Sequence, residues 1–265
     1  MTARLVNPGT GGGGAPLAKM VAMVSIPSDD PRAVAAVEAI HAGDVEAIER
    51  LLVDHPGLAT ARVTDPSCGD ERTLLHVVTD WPGHFPNGPG TVAALVAAGA
   101  DVNAPFGGSH AETPLHWAAS SDDVEVLDAL VRAGADIEAP GSVIDGGGPL
   151  SDAVAFGQSR AARRLIEFGA KANLWQAAGL GLVERLESLL GADPPPTRDE
   201  ITNAFWCACG GGQREAAQRL LERGADINWI GHDGLTPLDA ALRGDAAELA
   251  GWLRLQGARR AAESA

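Results

Sequence analysis

The segment DWPGHFPNGPG, residues 80–90, concentrates side chains that could take part in proton transfer. It supplies Asp80 and His84, and a later segment, GGSHAET, adds His110 and Glu112. A histidine beside a carboxylate is held in one tautomer and can move a proton near neutral pH. These four residues are therefore the candidates for acid–base chemistry if the chain is an enzyme.

Two tryptophans near these residues, Trp81 and Trp117, could stack on a flat ligand, because an indole ring offers a large apolar face. No motif fixes a reaction, however: we find no nucleophile elbow, no HExxH and no glycine-rich phosphate loop after a strand. The run GTGGGG at 9–14 follows no predicted strand, so we do not interpret it as a phosphate-binding loop. We assign no residue to catalysis and expect no cofactor.

Metal binding is a third interpretation of the same residue types. The side chains of His41, Asp80, His84 and His110 carry suitable ligand atoms, but their spacing is irregular along the chain. A metal site needs defined geometry and supporting hydrogen bonds behind its ligands. We therefore predict no metal site.

The charge balance argues against nucleic acid and membrane partners. The 265 residues include 35 acidic and 20 basic side chains, which give a formal net charge of −15. Such a surface repels phosphate backbones and anionic lipids and favours a partner with a basic surface. No apolar run approaches the ~18–20 residues of a membrane span. The cysteines Cys68, Cys207 and Cys209 have no disulfide or zinc spacing, which indicates a reducing, cytoplasmic setting.

Two short motifs recur along the chain. Openings of the type TPLH occur as RTLLHVV (72–78), ETPLHWAA (112–119), GGPLSDAV (147–154) and LTPLDAA (235–241). Closings of the type GADVN occur as AALVAAGADVNA (93–104), DALVRAGADIEA (128–139), RRLIEFGAKANL (163–174) and QRLLERGADINW (218–229). Thr113 and Gly134 are 21 residues apart, and Gly99, Gly134 and Gly169 recur every 35 residues. Regular recurrence of this kind is typical of repeat proteins.

The pattern resembles the ankyrin repeat, a unit of about 33 residues. In the TPLH opening, the Thr caps the first helix and the Pro occupies its first turn, and the Gly of the closing motif ends the second helix. One unit cannot bury its apolar side alone, so neighbouring units must stack. The resemblance therefore predicts an all-α fold, an ankyrin-repeat solenoid of stacked helix-turn-helix units with short β-hairpin loops.

We predict seven units within an ankyrin-repeat domain at residues 31–260. They lie near 34–57, 73–104, 113–139, 148–173, 174–193, 203–228 and 236–259, and the loop GADPPPTRDE (191–200) precedes the sixth. We expect residues 1–30 to form a flexible glycine-rich segment, with Met20 and Met23 as alternative translation starts. Residues 261–265 are expected to form a tail.

The segment 80–90 is an insertion within the second unit. Thr73 and Gly99 are 26 residues apart, against 21 for the corresponding pair in the third unit. The extra residues fall where the first helix turns into the second, and we expect Asp80 and Trp81 to end that first helix. In ankyrin repeats this helix end and the hairpin tips line the concave face, where partners usually dock.

Equivalent positions of units one to four define a candidate binding surface. The candidate ligand- or partner-binding residues are His41, Asp80, Trp81, His84, Asn87, His110, Glu112, Trp117, Ser120, Ser121, Asp152 and Phe156. The resemblance implies that this surface recognises a protein. One alternative is a small-molecule site or an enzyme with a His/Asp/Trp site built on the insertion. Another is that the insertion packs back onto the stack as a plug.

Other polar residues have a structural interpretation. His76 and His116 occupy the histidine position of TPLH, where the imidazole bonds within its own helix start and toward the next unit. Asp122 and Asp123 are expected to cap the following helix, because acidic residues favour a helix N-terminus. Three residues replace that histidine in later units, with local packing expected in place of the usual hydrogen bonds: Trp175, Trp206 and Asp239.

Overall fold

The computed structural model describes residues 24–263, and most of the predicted flexible segment, residues 1–23, lies outside this range. Within residues 24–263, fourteen α-helices follow one another in consecutive pairs. The first helices of the pairs are α1 (Pro31–Ala42), α3 (Leu74–Thr79), α5 (Pro114–Ser120), α7 (Pro149–Ala155), α9 (Leu174–Leu180), α11 (Arg198–Gly210) and α13 (Pro237–Arg243). The second helices are α2 (Val45–Asp54), α4 (Gly88–Ala97), α6 (Val124–Arg132), α8 (Ser159–Glu167), α10 (Val183–Leu190), α12 (Arg214–Glu222) and α14 (Ala247–Leu255). The predicted all-α solenoid is confirmed.

The helices form two packed rows. In one row α1, α3, α5, α7, α9, α11 and α13 contact one another in succession. In the other row α2 contacts α4, α4 contacts α6, and α6 contacts α8. Buried residues of small or branched type, such as Leu75, Leu115, Ala118 and Ala119, fill the space between units. Alanine allows close approach of the helices, so one continuous core runs along the stack.

The TPLH motif starts these helices as predicted. Thr113 precedes α5, and Pro114 lies in the first turn, where a missing N–H leaves no bond unmade. The Nδ1 atom of His116 accepts a hydrogen bond from the backbone N–H of Thr113 at 3.0 Å. Its Nε2 atom donates toward the carbonyl of Gly147 in the next unit at 3.3 Å. His76 repeats this arrangement in α3, so both histidines have the predicted structural role.

The histidine position of two later pairs differs from our expectation. Helix α9 begins after its cap Asn173, which places Gln176 rather than Trp175 at this position. The side chain of Gln176 accepts from the backbone N–H of Asn173 at 2.9 Å. In α13, Asp239 accepts from the hydroxyl of Thr236, also at 2.9 Å. The expected loss of the capping bonds is therefore wrong at both positions, because a carboxylate or amide oxygen can replace the imidazole acceptor.

Helix α11 is longer than predicted and begins inside the loop assigned to residues 191–200. Thr197 and Glu200 form a reciprocal capping box that starts the helix, a pattern that favours a helix N-terminus. Trp206 lies on this helix and donates from Nε1 to the carbonyl of Leu235 at 2.9 Å. The indole is thus packed and hydrogen-bonded between the last two helix pairs.

A three-stranded sheet covers the start of the stack and was not predicted. Its strands are β1 (Ser25–Pro27), β2 (Arg62–Thr64) and β3 (Glu71–Thr73). Strand β1 is parallel to β2, and β2 is antiparallel to β3. Strand β1 therefore lies inside the segment 1–30 that was expected to be flexible, and that expectation is wrong for Ser25–Pro27. Strands of three residues are too short for a period-two pattern to stand out in the sequence.

The chain after α14 packs onto the last unit. Residues Ala261–Glu263 form a 3₁₀ turn. The Nε atom of Arg260 and the backbone N–H of Ala261 donate to the Asp239 carboxylate at 2.7 and 2.8 Å. Part of the predicted tail is thus fixed by a buried aspartate.

Candidate functional site: a groove beside an inserted loop

The inserted loop comprises residues 80–87, between α3 and α4, where the spacing predicts it. Helix α3 ends at Thr79, so Asp80 is the first loop residue rather than the end of the helix. The Asp80 carboxylate accepts a hydrogen bond from Arg72 at 2.5 Å and another from the backbone N–H of Trp81 at 2.9 Å. These bonds fix the start of the loop and pair the charge of Asp80.

His84 fastens the loop to the third helix pair. Its backbone N–H donates to the carboxylate of Asp123 at 2.8 Å, and its Nε2 atom lies 2.9 Å from the carbonyl oxygen of Ser121. Asp123 also accepts from the backbone N–H of Val126 at 3.2 Å, which confirms its predicted capping of α6. His84 therefore holds two units together.

Phe85 and Asn87 fasten the loop to the first helix pair. The ring of Phe85 stacks on His41 with 4.3 Å between ring centroids. The side-chain amide of Asn87 donates to the carbonyl of Gly43 at 2.8 Å. Residues 84–87 thus bridge the first and third pairs, and this half of the loop is the self-packed plug considered above.

Trp81 does not share this packing, since 81 % of its surface is exposed. A single exposed apolar residue is common, whereas a contiguous group of them marks an interaction surface. Val143, Ile144 and Phe156 are further exposed apolar residues, and Phe156 is 50 % exposed. Val143 and Phe156 line a groove together with Trp81.

This groove has a volume of about 240 Å³ and lies between the inserted loop, α5 and the chain that leads into α7. Its lining residues are Thr79, Asp80, Trp81, Glu112, Trp117, Ser120, Ser121, Val143 and Phe156. All of them except Thr79 and Val143 are among the candidates chosen from the sequence. The structure thus gathers residues of three units into one concavity.

Two neighbouring carboxyl groups, those of Glu112 and Asp152, are buried, and Glu112 lines the groove. Asp152 is fully buried, and Glu112 is 8 % exposed. Burial raises the pKa of Asp152 to about 7, and the charge of Glu112 adds to this rise, whereas a hydrogen bond from Ser142 at 2.6 Å opposes it. Asp152 is therefore protonated below pH 7. Its Oδ2 atom accepts no hydrogen bond from residues 24–263, so this oxygen can carry the proton toward Glu112.

Trp117 connects the carboxyl pair with the groove wall. Its Nε1 atom donates to the carboxylate of Glu112 at 3.1 Å. Its ring packs against Phe106 and His76, with 5.3 and 4.9 Å between ring centroids. The indole is therefore both a packed part of the core and a fixed platform of the groove.

The two buried histidines near the groove are neutral at physiological pH. Burial lowers the pKa of His76 and of His116 to about 4. His76 donates from Nε2 to the backbone carbonyl of Glu112 at 3.1 Å, which fixes its tautomer. Neither ring therefore supplies a positive charge to offset the carboxyl pair.

The four proton-transfer candidates are not assembled into one centre. His84 bonds to Asp123 and Ser121, and no ion pair within residues 24–263 joins it to Asp80 or Glu112. His110 is exposed. Glu112 is engaged with a neutral tryptophan and an aspartic acid instead of a histidine. His84 is therefore paired with Asp123, and the predicted pairing of a histidine with Asp80 or Glu112 is not observed among the described residues.

Ser120 and Ser121 line the groove, whereas His41, Asn87 and His110 do not. The hydroxyls of Ser120 and Ser121 donate to the carbonyl of Trp117 at 3.0 and 2.9 Å. Ser142 and Val143 were not predicted, because they lie in an irregular segment without a repeat equivalent. Asp152 was chosen for its position, but its burial was not foreseen. The repeat spacing indicates only the position of this residue, since Asp152 occurs 35 residues after Trp117 at the equivalent place in the next unit.

The described residues contain neither a cluster suited to a metal ion nor a helix suited to crossing a bilayer. No group of three or more His, Cys, Asp or Glu side chains within residues 24–263 is arranged to hold a metal ion. Across the same residues, no helix combines the length and apolar character that crossing a bilayer requires.

Paired helices stacked in two rows, each pair leaning on the next, define a helical repeat protein. A family model described as ankyrin repeats matches residues 33–141 and 174–260 in three copies. The chain belongs to the ankyrin-repeat family. The number of its repeats stays a prediction.

Among solved structures, the chain is similar to the crystal structure of the human ASB11 ankyrin repeat domain. The two are 18 % identical, with a TM-score of 0.50, and the match covers 82 % of this chain and 96 % of that one. Identity at this level supports the fold alone. No curated protein matches the chain. Ankyrin-repeat domains generally act as scaffolds for protein–protein interaction, through extended concave surfaces.

Proposed function

We propose that this protein is a cytoplasmic interaction module that binds a protein partner through the concave face of units one to four. The observation that carries the proposal is the exposed indole of Trp81 on a loop that is otherwise fastened to two neighbouring units. A large aromatic side chain held in place before binding loses little conformational freedom when it docks. Such residues are typical energetic centres of protein interfaces.

The partner is expected to present a basic surface. The net charge of −15 attracts such a surface and repels nucleic acid and anionic lipid. The cysteines Cys68, Cys207 and Cys209 are all free thiols, which supports a reducing compartment.

The groove favours a protein side chain over a free small molecule. Its volume of about 240 Å³ is below the ~300–1,000 Å³ of typical ligand pockets. A larger depression of about 500 Å³ lies on α1 and α2, but its lining contains no aromatic residue. His84 bonds to Asp123 and Ser121 rather than to Asp80 or Glu112, which favours an interaction module over an enzyme.

Site-specific photo-crosslinking tests the proposal. A photoreactive phenylalanine analogue replaces Phe156 beside the groove, and in a matched control it replaces Leu255, which is 85 % exposed at the far end of the stack. Irradiation in a cell extract should yield a protein adduct from position 156 that is absent from position 255 and is lost when Trp81→Ala is added. Adducts at both positions, or adducts unaffected by Trp81→Ala, would contradict the assigned surface.

A further inference from the structure

We propose that the groove receives a lysine side chain of the partner, with its alkyl stem against Trp81 and Phe156 and its ammonium group against Glu112. The inference rests on the proposed function and specifies the chemistry that the partner must offer. Two independent features select this occupant, namely the aromatic walls and the acidic floor of the groove.

The walls suit an aliphatic chain that ends in a positive charge. Trp81, Trp117 and Phe156 present aromatic surfaces, and Val143 adds an aliphatic one. The face of an aromatic ring attracts a cation within ~6 Å of its centre, and the methylene groups of a lysine stem bury well against such rings. A groove of about 240 Å³ has room for one long side chain.

The floor is acidic, and no Lys or Arg among residues 24–263 forms an ion pair with Glu112 or Asp152. Glu112 lines the groove, and the buried Asp152 neighbours it with an Oδ2 atom that accepts no hydrogen bond from residues 24–263. Asp145 adds a further negative charge near Asp152. The other carboxylate at the groove, Asp80, is already paired with Arg72.

The remaining charged or titratable groups around this floor do not neutralise it. His76 and His116 are neutral because burial lowers the pKa of each to about 4. Arg62 acts on His76 and donates to the carbonyl of Pro105 at 2.6 Å. Arg72, which also acts on His76, is paired with Asp80, so an ammonium group from outside would meet carboxyl groups that have no ion-pair partner within residues 24–263.

The hydrogen bonds already present favour lysine over arginine. A guanidinium group prefers two parallel bonds to both oxygens of one carboxylate. The Glu112 carboxylate already accepts from Trp117 and neighbours the Asp152 carboxyl, and both oxygens of Asp80 accept bonds from this chain. An ammonium group needs only one free lone pair and approaches as a point charge.

Lysine binding must compete with the proton that Asp152 holds. Asp152 holds its proton below about pH 7 and is ionised above it. A bound ammonium group favours ionised Asp152, so binding releases a proton and tightens as pH rises. The dissociation constant should fall by about tenfold between pH 6 and pH 8.

The test uses Nα-acetyl-lysine methylamide as the probe and follows the Trp117 indole N–H resonance, since this group bonds directly to Glu112. Trp117→Phe assigns the resonance. At pH 8 we expect a saturable shift with an affinity of about 1 mM, as for other small fragments. The norleucine analogue has the same stem without the charge and should cause no saturable shift. Equal binding of the norleucine or arginine analogue would overturn the assignment.

Two variants separate the roles of the carboxyl groups. Glu112→Gln keeps an acceptor for Trp117 but removes the charge, and should weaken binding at least about tenfold. Asp152→Asn leaves Glu112 as the only charge, so its affinity should stay near the wild-type value at pH 6 across the whole pH range. Unchanged binding by Glu112→Gln would contradict the inference, and circular dichroism verifies the fold of each variant. If Glu112→Gln does not fold, the test is the pH dependence of lysine binding, which should be present in the wild type and absent from Asp152→Asn; equal pH dependence in the two proteins would contradict the inference.

Failure of this inference can be told from failure of the proposed function. Suppose that partner binding depends on Trp81 but is unaffected by Glu112→Gln and by pH between 6 and 8. This result would support the interaction surface and refute the lysine assignment. A saturable response to the lysine probe, with partner binding that does not depend on Trp81, would support the lysine site and refute the proposed interaction surface.

Discussion

Replacement of Asp152 by asparagine is expected to raise thermal stability at pH 8 and to leave it nearly unchanged at pH 4. Burial and the neighbouring Glu112 raise the pKa of this fully buried carboxyl from 3.8 to about 7. Because the folded protein binds the proton more tightly than the unfolded chain, its stability is complete below about pH 4 and falls as pH rises through 7. Asparagine resembles the protonated form but does not titrate.

The pKa difference sets the size of the effect. A change from 3.8 to about 7 corresponds to about 4 kcal/mol of unfolding free energy that the wild type loses between pH 4 and pH 8. For a domain of this size, each kcal/mol shifts Tm by about 2–4 °C. The variant should therefore melt about 8–16 °C higher at pH 8. The asparagine carbonyl can still accept from Ser142, and its amide can donate to Glu112, so the substitution leaves no buried group unpaired.

The assay is thermal unfolding followed by circular dichroism at pH 4, 6 and 8. Asp145→Asn is the matched control, because it removes an exposed charge near the same site and should shift Tm by less than about 2 °C at each pH. The acid-dependent loss of stability from the two buried neutral histidines is common to all three proteins and cancels in the comparison. A Tm difference that does not grow with pH, or a variant less stable than wild type at pH 8, would refute the reasoning.

Three further predictions use the same melting assay. Trp81→Ala should leave Tm within about 1 °C of wild type, because the indole is exposed. His84→Ala loses the bond to the third helix pair and should lower Tm by about 2–4 °C. Equal shifts would contradict a loop that is fastened at His84 but not at Trp81. Gly43→Ala should cost about 2–4 kcal/mol, because its φ is +69° and a Cβ would meet the inserted loop at 2.4 Å. Gly57→Ala, with φ +98° and open space, should cost only about 1 kcal/mol, and similar costs would argue against the docked loop. Burial opposes ionisation of Asp239, but hydrogen bonds to its carboxylate outweigh this and lower its pKa to about 2. Asp239→Asn should therefore lower the unfolding free energy by about 2 kcal/mol at pH 7, and this loss should vanish as pH falls toward 2. A loss that persists at about pH 2 would exclude the charge of Asp239 as its cause.

Local sequence signals predicted the repeat and the place of the insertion. The Thr of a TPLH opening acts on the helix that immediately follows it, so the bonds of His76 and His116 could be inferred from motif position. Spacing between Thr73 and Gly99 likewise located the extra residues, because the stack fixes the length of a regular unit.

Contacts between distant parts of the chain could not be inferred in this way. Residues 84–87 of the inserted loop pack against His41 in one unit and Asp123 in another. No periodic pattern in the sequence encodes such contacts. The carboxyl pair depends on Ser142 and on the depth of Asp152, which occupies a position that is half-buried when Trp117 fills it. Short strands such as β1 also escape detection, since their pairing partner lies far along the sequence.

The exposed Trp81 is the centre of the proposed interface, and the most direct measurement is the affinity of the crosslinked partner for Trp81→Ala compared with Leu255→Ala. Both residues are more than 80 % exposed, so neither substitution should disturb the fold. We predict that Trp81→Ala raises Kd by at least about thirtyfold, the 2 kcal/mol or more expected of an interface centre, while Leu255→Ala leaves Kd unchanged. Equal affinity of the two variants for the partner would contradict the account.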